Sequence, residues 1–242
     1  MGRNAGACLV CGKPLIYFDR AREMICESCG GRFLSNASCE DGHFVCDACH
    51  GKRGFEAVME HCLESGGKNP VQLADRIMEN AYIHMHGPEH HVMVGAALIT
   101  AFHNAGGQVE LKGALEEMLR RGKSCPGGTC GFWGCCGAAV SAGMFVSIVT
   151  NATPLTTDSW ALANEMTSRT LARIAALGGP RCCKRNSYTA IIAAAEFSAE
   201  KLGVDMEMPE KIVCTFYEEN RECKRRACPY YGGGQPQRSS SP

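Results

Sequence analysis

The sequence has no excess of either charge, no long apolar run and few stretches that read as strand. Lys and Arg number 25 and Asp and Glu 25 among 242 residues, so no overall field attracts nucleic acid or an anionic membrane. No apolar segment follows Met1, which argues against a secretory leader. The longest apolar stretch, about 138–149, is too short and too broken by Ser141 and Gly143 to span a bilayer. A Gly-x4-Gly-Lys-Ser/Thr loop is absent, which excludes a P-loop nucleotide enzyme. No internal repeat is evident. The expected setting is the cytoplasm, with a small-molecule substrate or a partner redox or cluster enzyme, and with neither nucleic acid nor membrane.

What the sequence has in abundance is cysteine: 17 residues, falling in two sets. In a reducing compartment paired cysteines are more often metal ligands than disulfides. Cys8-x2-Cys11-Gly12 and Cys26-x2-Cys29-Gly30 are knuckles, in which a tight turn points two thiolates at one ion. Two such knuckles complete a tetrahedral four-thiolate site, which suits zinc. Cys39-x3-His43-x2-Cys46-x2-Cys49 supplies a second zinc site, with His50 as an alternative ligand. A cross-braced module would interleave these pairs instead. Such a module either folds only around its metal or also docks a partner. Arg20, Arg22, Arg32, Lys52 and Arg53 give it a mildly basic face, but acidic residues interleave with them and no aromatic pattern accompanies them.

The chain divides into a cysteine-rich zinc-binding module at 1–53, an all-α metal- or cluster-binding domain at 54–231, and a disordered Gly/Gln/Pro/Ser tail at 232–242. The fold class is mainly α, a compact Ala/Gly-rich helical domain preceded by a small zinc-knuckle module. Phe55, Val58, Met59 and Cys62 recur at helical spacing and stop at Gly66 and Gly67. Asn69-Pro70 opens a second helix. Ala-rich helices follow at 92–104, 136–150, 160–177 and 187–202, where small side chains allow close helix approach. Short hairpins are expected before residue 50, and a strand at 211–217.

His84, His86, His90, His91 and His103 lie within twenty residues, beside Glu89. A loop at 84–91 leads into the helix near Val92, so His90 and His91 face a helix N-terminus. The dipole there lowers an imidazole pKa and favours a neutral base or ligand. Glu89 is placed to orient one of them. His103 reads as a satisfied core or surface histidine, and His84 and His86 serve equally well as polar loop residues.

The second cysteine set opens with Cys125, Cys130, Cys135 and Cys136 in a Gly-rich loop that runs into a small-residue helix. Thiols at a helix start have depressed pKa values and suit nucleophilic or ligating roles. Gly131, Gly134 and Gly137 let backbone approach a bulky group such as an iron–sulfur cluster. Pro180, Cys182, Cys183, Arg185 and Asn186 form a second piece, and Cys214-x8-Cys223-x4-Cys228-Pro229 a third. Metal or cluster binding, dithiol redox chemistry and plain packing of buried thiols are the alternatives for this set.

In order and spacing, Gly95-Ala96-Ala97, Gly134-Cys135-Cys136-Gly137 and the Pro180 to Asn186 segment with its following alanines resemble the catalytic chain of iron–sulfur L-serine dehydratases and cysteine desulfidases. The likeness covers residues 88–200. It implies that Cys135 and Cys182 are two of three ligands of a [4Fe-4S] cluster, with Cys130, Cys136, Cys183 or a C-terminal cysteine as the third. Two departures stand out. The family's Cys-Asp-Pro ligand has no counterpart before Pro180, and its Pro-Thr-Asn-Gly turn reads Glu89-His90-His91-Val92. The whole chain also looks like an uncharacterised cysteine-rich domain family of methanogens and anaerobic bacteria. The implied activity is a metal-dependent, lyase-like or sulfur-handling enzyme with His90 or His91 as base and Arg185 and Asn186 organising the site. The alternatives are a metal or cluster carrier that docks to a partner enzyme, and a thiol redox protein.

Overall fold

A computed structural model describes residues 8–233; the expected disordered tail, from residue 234 on, lies outside the described residues. The chain is mainly helical, with one two-stranded sheet near its start. Strands β1 (Leu15–Ile25) and β2 (Arg32–Cys39) form an antiparallel hairpin in register from Leu15 opposite Cys39 to Ile25 opposite Arg32, with an irregularity between Tyr17 and Arg22. The Cys26 knuckle makes the turn: Gly30 donates to the Cys26 carbonyl at 2.8 Å with φ +69°, a conformation that glycine adopts without strain. After β2 the chain runs back along the hairpin, bridging Phe44 to Cys26.

Eight helices follow: α1 (Asp47–Glu64), α2 (Pro70–Glu79), α3 (Glu89–Asn104), α4 (Leu111–Lys123), the short α5 (Thr129–Phe132), α6 (Gly137–Val149), α7 (Asp158–Leu177) and α8 (Cys183–Phe197). A π-helical turn, Ser198–Leu202, prolongs α8. Helix α3 is the hub. Residues 89–102 are all buried, and the helix packs on α1, α2, α4, α6 and α8. A helix apolar on every side belongs in a core. Close packing depends on its small residues. A side chain at Gly95 would meet Met118 Sδ at 2.3 Å, and the Gly95 amide donates to Ser141 Oγ at 2.8 Å. Helix α2 starts as its sequence implies, with Asn69 Oδ1 accepting from the amides of Val71 and Gln72.

Several boundaries differ from expectation, each for a local reason. Helix α1 starts at Asp47, not near Gly54, because its first two turns carry the last metal knuckle and show no apolar period. It ends at Glu64, where Ser65 turns extended, before the two glycines. Helix α4 was not expected; Ala114, Leu115, Met118 and Gly122 bury one face of an otherwise charged segment. Residues 211–217 hold only an isolated bridge, Cys214 to Tyr231, so no strand forms there.

Candidate metal centres and cavity

The hairpin geometry interleaves the metal ligands. Cys8 and Cys11 precede β1, Cys39 ends β2 and His43 follows it, so they meet at the open end. Cys26 and Cys29 form the turn, and the returning chain brings Cys46 and Cys49 to them. Each group has its four ligand atoms within 4.8 Å of one another. Of the two pairings left open by the sequence, the groups follow the cross-braced one and not Cys8/Cys11 with Cys26/Cys29, because those two knuckles lie at opposite ends of one hairpin. Thiolates about 2.3 Å from a tetrahedral ion stand about 3.8 Å apart. Cys11 and Cys39 are 3.7 Å apart, and Cys29 and Cys46 3.9 Å. Amides of Val10, His43 and Cys46 donate to Cys8, Cys39 and Cys26 at 3.3 Å each. Burial opposes ionisation of Cys26, but the amides of Cys46, Cys29 and Ser28 together bring its pKa down to about 6. Both groups could hold a metal ion.

Between the hairpin and the helical domain lies a cavity of about 910 Å³. His90, His91, Cys130 and Cys136 line it, as do Cys182, Cys183 and Asn186. Cys135 and Arg185 do not; Arg185 instead donates to the carbonyls of Gly178 and Pro180, both at 2.8 Å, and clamps the turn before α8. The hairpin reaches this cavity through Tyr17, which lies 6.4 Å from the Phe132 ring and under the guanidinium of Arg181 at 5.2 Å. Asp47 ties the two sides by accepting from the Gly127 amide at 2.6 Å.

Helix α3 begins at Glu89, one turn earlier than expected, so His90 and His91 sit inside its first turn. Both histidines have one nitrogen held by a backbone carbonyl: His90 Nδ1 by Gly87 at 3.2 Å and His91 Nδ1 by Cys125 at 3.0 Å. That arrangement makes Nδ1 the donor and leaves Nε2 as a lone pair. His90 Nε2 is buried with no hydrogen-bond partner. Burial pushes His90 well below the ordinary imidazole range and His91 down as well, so both are neutral. His86 shows the mirror arrangement, with Nε2 3.3 Å from Glu222 Oε2 and Nδ1 unpartnered.

Glu89 is fully buried and accepts from the His84 amide at 2.7 Å, with His84 Nδ1 at 3.2 Å and His50 Nδ1 at 3.8 Å. His50, His84 and Glu89 are a third group able to hold an ion. Sequence reasoning gave Glu89 an orienting role but did not join it to His50, 39 residues earlier in the chain. His103 is exposed and bonds the Val109 carbonyl at 2.9 Å.

Cys136 is the N-cap of α6 and accepts from Asn186 Nδ2 at 3.4 Å. Cys182 is the N-cap of α8 and accepts from the Arg185 amide at 3.4 Å. At Cys182 the depressed thiol pKa expected of a helix start is not found. Burial outweighs the helix end and pushes Cys182, Cys183, Cys130 and Cys135 up. Cys182 also borders a second, smaller pocket with Cys214, Cys223 and Cys228. The sequence shows those three cysteines as a motif, but nothing in it says that the chain returns to α8.

The arrangement defines a cysteine- and histidine-rich helical protein with two groups able to hold a metal ion braced across an N-terminal hairpin. The chain belongs to a family of unknown function (DUF5714), whose model matches residues 58–231. The match begins inside α1, so it covers His84, His86, His90 and His91 of the cavity and the whole second cysteine set and leaves out the hairpin ligands. No curated protein and no solved structure matches the chain. Among the described residues no helix is long and apolar enough to cross a membrane.

Proposed function

We propose that this protein is a metal-dependent enzyme that performs proton-transfer chemistry, lyase-like or sulfur-handling, on a small molecule bound in the 910 Å³ cavity. The observation that carries the reading is His90: a neutral, buried imidazole on the cavity wall, its Nδ1 anchored to Gly87 and its Nε2 without a partner. A base held in one tautomer needs no reorganisation to accept a proton. His91 repeats the anchoring, with Nδ1 held by the Cys125 carbonyl. Arg181 gives the wall a cation suited to an anionic substrate group. Asn186 positions Cys136, and Arg185 holds the turn that presents Cys182.

Zinc is the metal that suits the hairpin groups, one of four thiolates and one of three thiolates with an imidazole, and its role there is to hold one wall of the cavity. For the second cysteine set the cofactor reading is a [4Fe-4S] cluster, supported by the gathering of four of its nine thiols around one small pocket and by the likeness of residues 88–200 to iron–sulfur dehydratases. Such a cluster supplies electron storage or, where an iron is open, Lewis acidity. Ile25, Phe33 and Leu34 are exposed on the hairpin, which favours partner docking as the second reading: a carrier that delivers metal or cluster to another enzyme.

Anaerobically purified protein, incubated in deuterated water with small β-hydroxy and β-thiol carboxylic acids and followed by proton NMR, tests the enzymatic reading. Exchange at the carbon acid or product release in the wild type, lost in a folded His90→Asn variant, is the expected result. Metal-replete protein that neither exchanges nor converts any of them would overturn it in favour of the carrier.

A further inference from the structure

We infer that Cys182, Cys214, Cys223 and Cys228 together hold the [4Fe-4S] cluster, as a complete set of four thiolates. This rests on the reading above that the second cysteine set carries a cluster, and it replaces the ligand set that the dehydratase likeness implies. The four residues line one pocket. Three features of the chain bring them there. Cys182 caps α8. The segment after the π-helical turn folds back so that the Cys214 amide donates to the Tyr230 carbonyl at 2.7 Å. A 3-10 turn, Arg225–Ala227, entered through Arg225 at φ 52°, then separates Cys223 from Cys228.

The spacing of the sulfurs argues against a compact single-ion site. Among the described residues, three groups bring three or more ligand atoms within 4.8 Å of one another, and no three of these four sulfurs form one. The hairpin groups have the compactness of a mononuclear site. A cubane takes one thiolate at each iron corner and spreads its ligands more widely.

The surroundings suit the same group. Cys182 Sγ accepts from two N–H donors at 3.4 Å, the Arg185 amide and the side-chain amide of Asn220, and Cys223 Sγ accepts from the Arg225 amide at 3.4 Å. Asn220 is 2% exposed, a buried amide aimed at a sulfur. Such donors tune a cluster's potential. Four thiolates around a doubly charged core leave two negative charges, and the cations of Arg185 and Lys224 border the pocket. Phe216 and the edge-to-face pair Tyr217 and Tyr231, centroids 5.0 Å apart, supply an apolar shell.

Four protein thiolates leave no iron open to substrate. The cluster's chemistry is therefore one-electron transfer rather than Lewis acidity, which leaves proton transfer in the cavity to His90, and Cys182 lines both spaces. Cys135 borders neither pocket and Cys130 only the cavity; neither is a ligand.

The test is anaerobic expression of the full chain with iron and sulfide, measuring iron, acid-labile sulfide, visible absorption and the EPR signal after dithionite reduction. About four irons per chain in the wild type, kept in Cys130→Ser and Cys135→Ser and lost in Cys214→Ser and Cys228→Ser, is the expected pattern. Asn220→Ala removes a donor without removing a ligand, so it is expected to keep the cluster and lower its midpoint potential. That readout stands even where a cysteine variant fails to fold. A full cluster in Cys214→Ser and Cys228→Ser, loss in Cys135→Ser, or a potential unmoved by Asn220→Ala would overturn the ligand set while leaving the cluster reading intact. A wild type with no iron and no chromophore would overturn both.

Discussion

Substituting Cys39 by Ser should empty both hairpin metal groups, not one. Before α1, the buried residues among those described are Cys8, Cys26, Ser38, Cys39 and Cys46, so the fold there has almost nothing inside it but ligands. Ile25 and Leu34 are 56% and 78% exposed. A structural metal of this type contributes about 10 kcal/mol or more, which matches the about 5–15 kcal/mol that holds a whole domain together. Losing one group therefore removes the stability of the entire hairpin. Because the chain runs from His43 of one group directly to Cys46 of the other, the second ion loses its geometry with the first. The helical core, which begins at Phe55, should persist. Metal release to a chromophoric chelator gives the stoichiometry, and limited trypsinolysis at the exposed Arg20, Arg22 and Arg32 reports on the hairpin. A variant that keeps one hairpin metal and a protected hairpin would refute the coupling.

Three further outcomes are expected. Tyr188→Phe removes the hydroxyl that donates to Asp75 Oδ1 at 2.5 Å and strands a largely buried carboxylate between α2 and α8; urea unfolding should show a loss of about 1–3 kcal/mol, and an unchanged midpoint would contradict it. Gly122→Ala places a Cβ 2.6 Å from Val92 Cγ2 and 3.1 Å from the His91 carbonyl. Overpacking of about 1–3 kcal/mol should outweigh a helix-propensity gain of about 1 kcal/mol, so a raised melting temperature would count against the close α3–α4 approach. His86, His90 and His91 all have folded pKa values pushed down by burial. Below about pH 6.5 the unfolded chain then binds protons that the native one does not, so stability is full above that pH and falls below it. The slope is about 1.4 kcal/mol per pH unit for each imidazole, and denaturation midpoints that stay flat from pH 7 to pH 5 would refute it.

How much could be read in advance depended on how local the information is. The Phe55 to Cys62 period and the Asn69-Pro70 start are decided within one or two turns, and both helices form. Helix α4 escaped because Gly113 and Gly122 interrupt it and its charged residues dilute the apolar face. The metal knuckles were legible as donors but not as partners. Their pairing depends on Leu15 lying opposite Cys39 while Phe44 returns to Cys26, which is a property of the hairpin register. The same holds for the cavity. His90 and Cys182 were each conspicuous, yet 92 positions separate them, and only α3 and α8 packing side by side puts both on one wall. The thiol pKa expectation failed because a helix start says nothing about burial, which decides the sign here.

Helix α1 bears on any partner that grips the hairpin. It carries Cys49 in its first turn and Cys62, fully buried, in its last, over 18 residues, a rod about 27 Å long. A rod has no swivel. The braced hairpin is therefore not cargo on a tether but the handle of a lever whose far end is set in the core, and a push on the handle reaches the cavity as torque rather than being absorbed by slack.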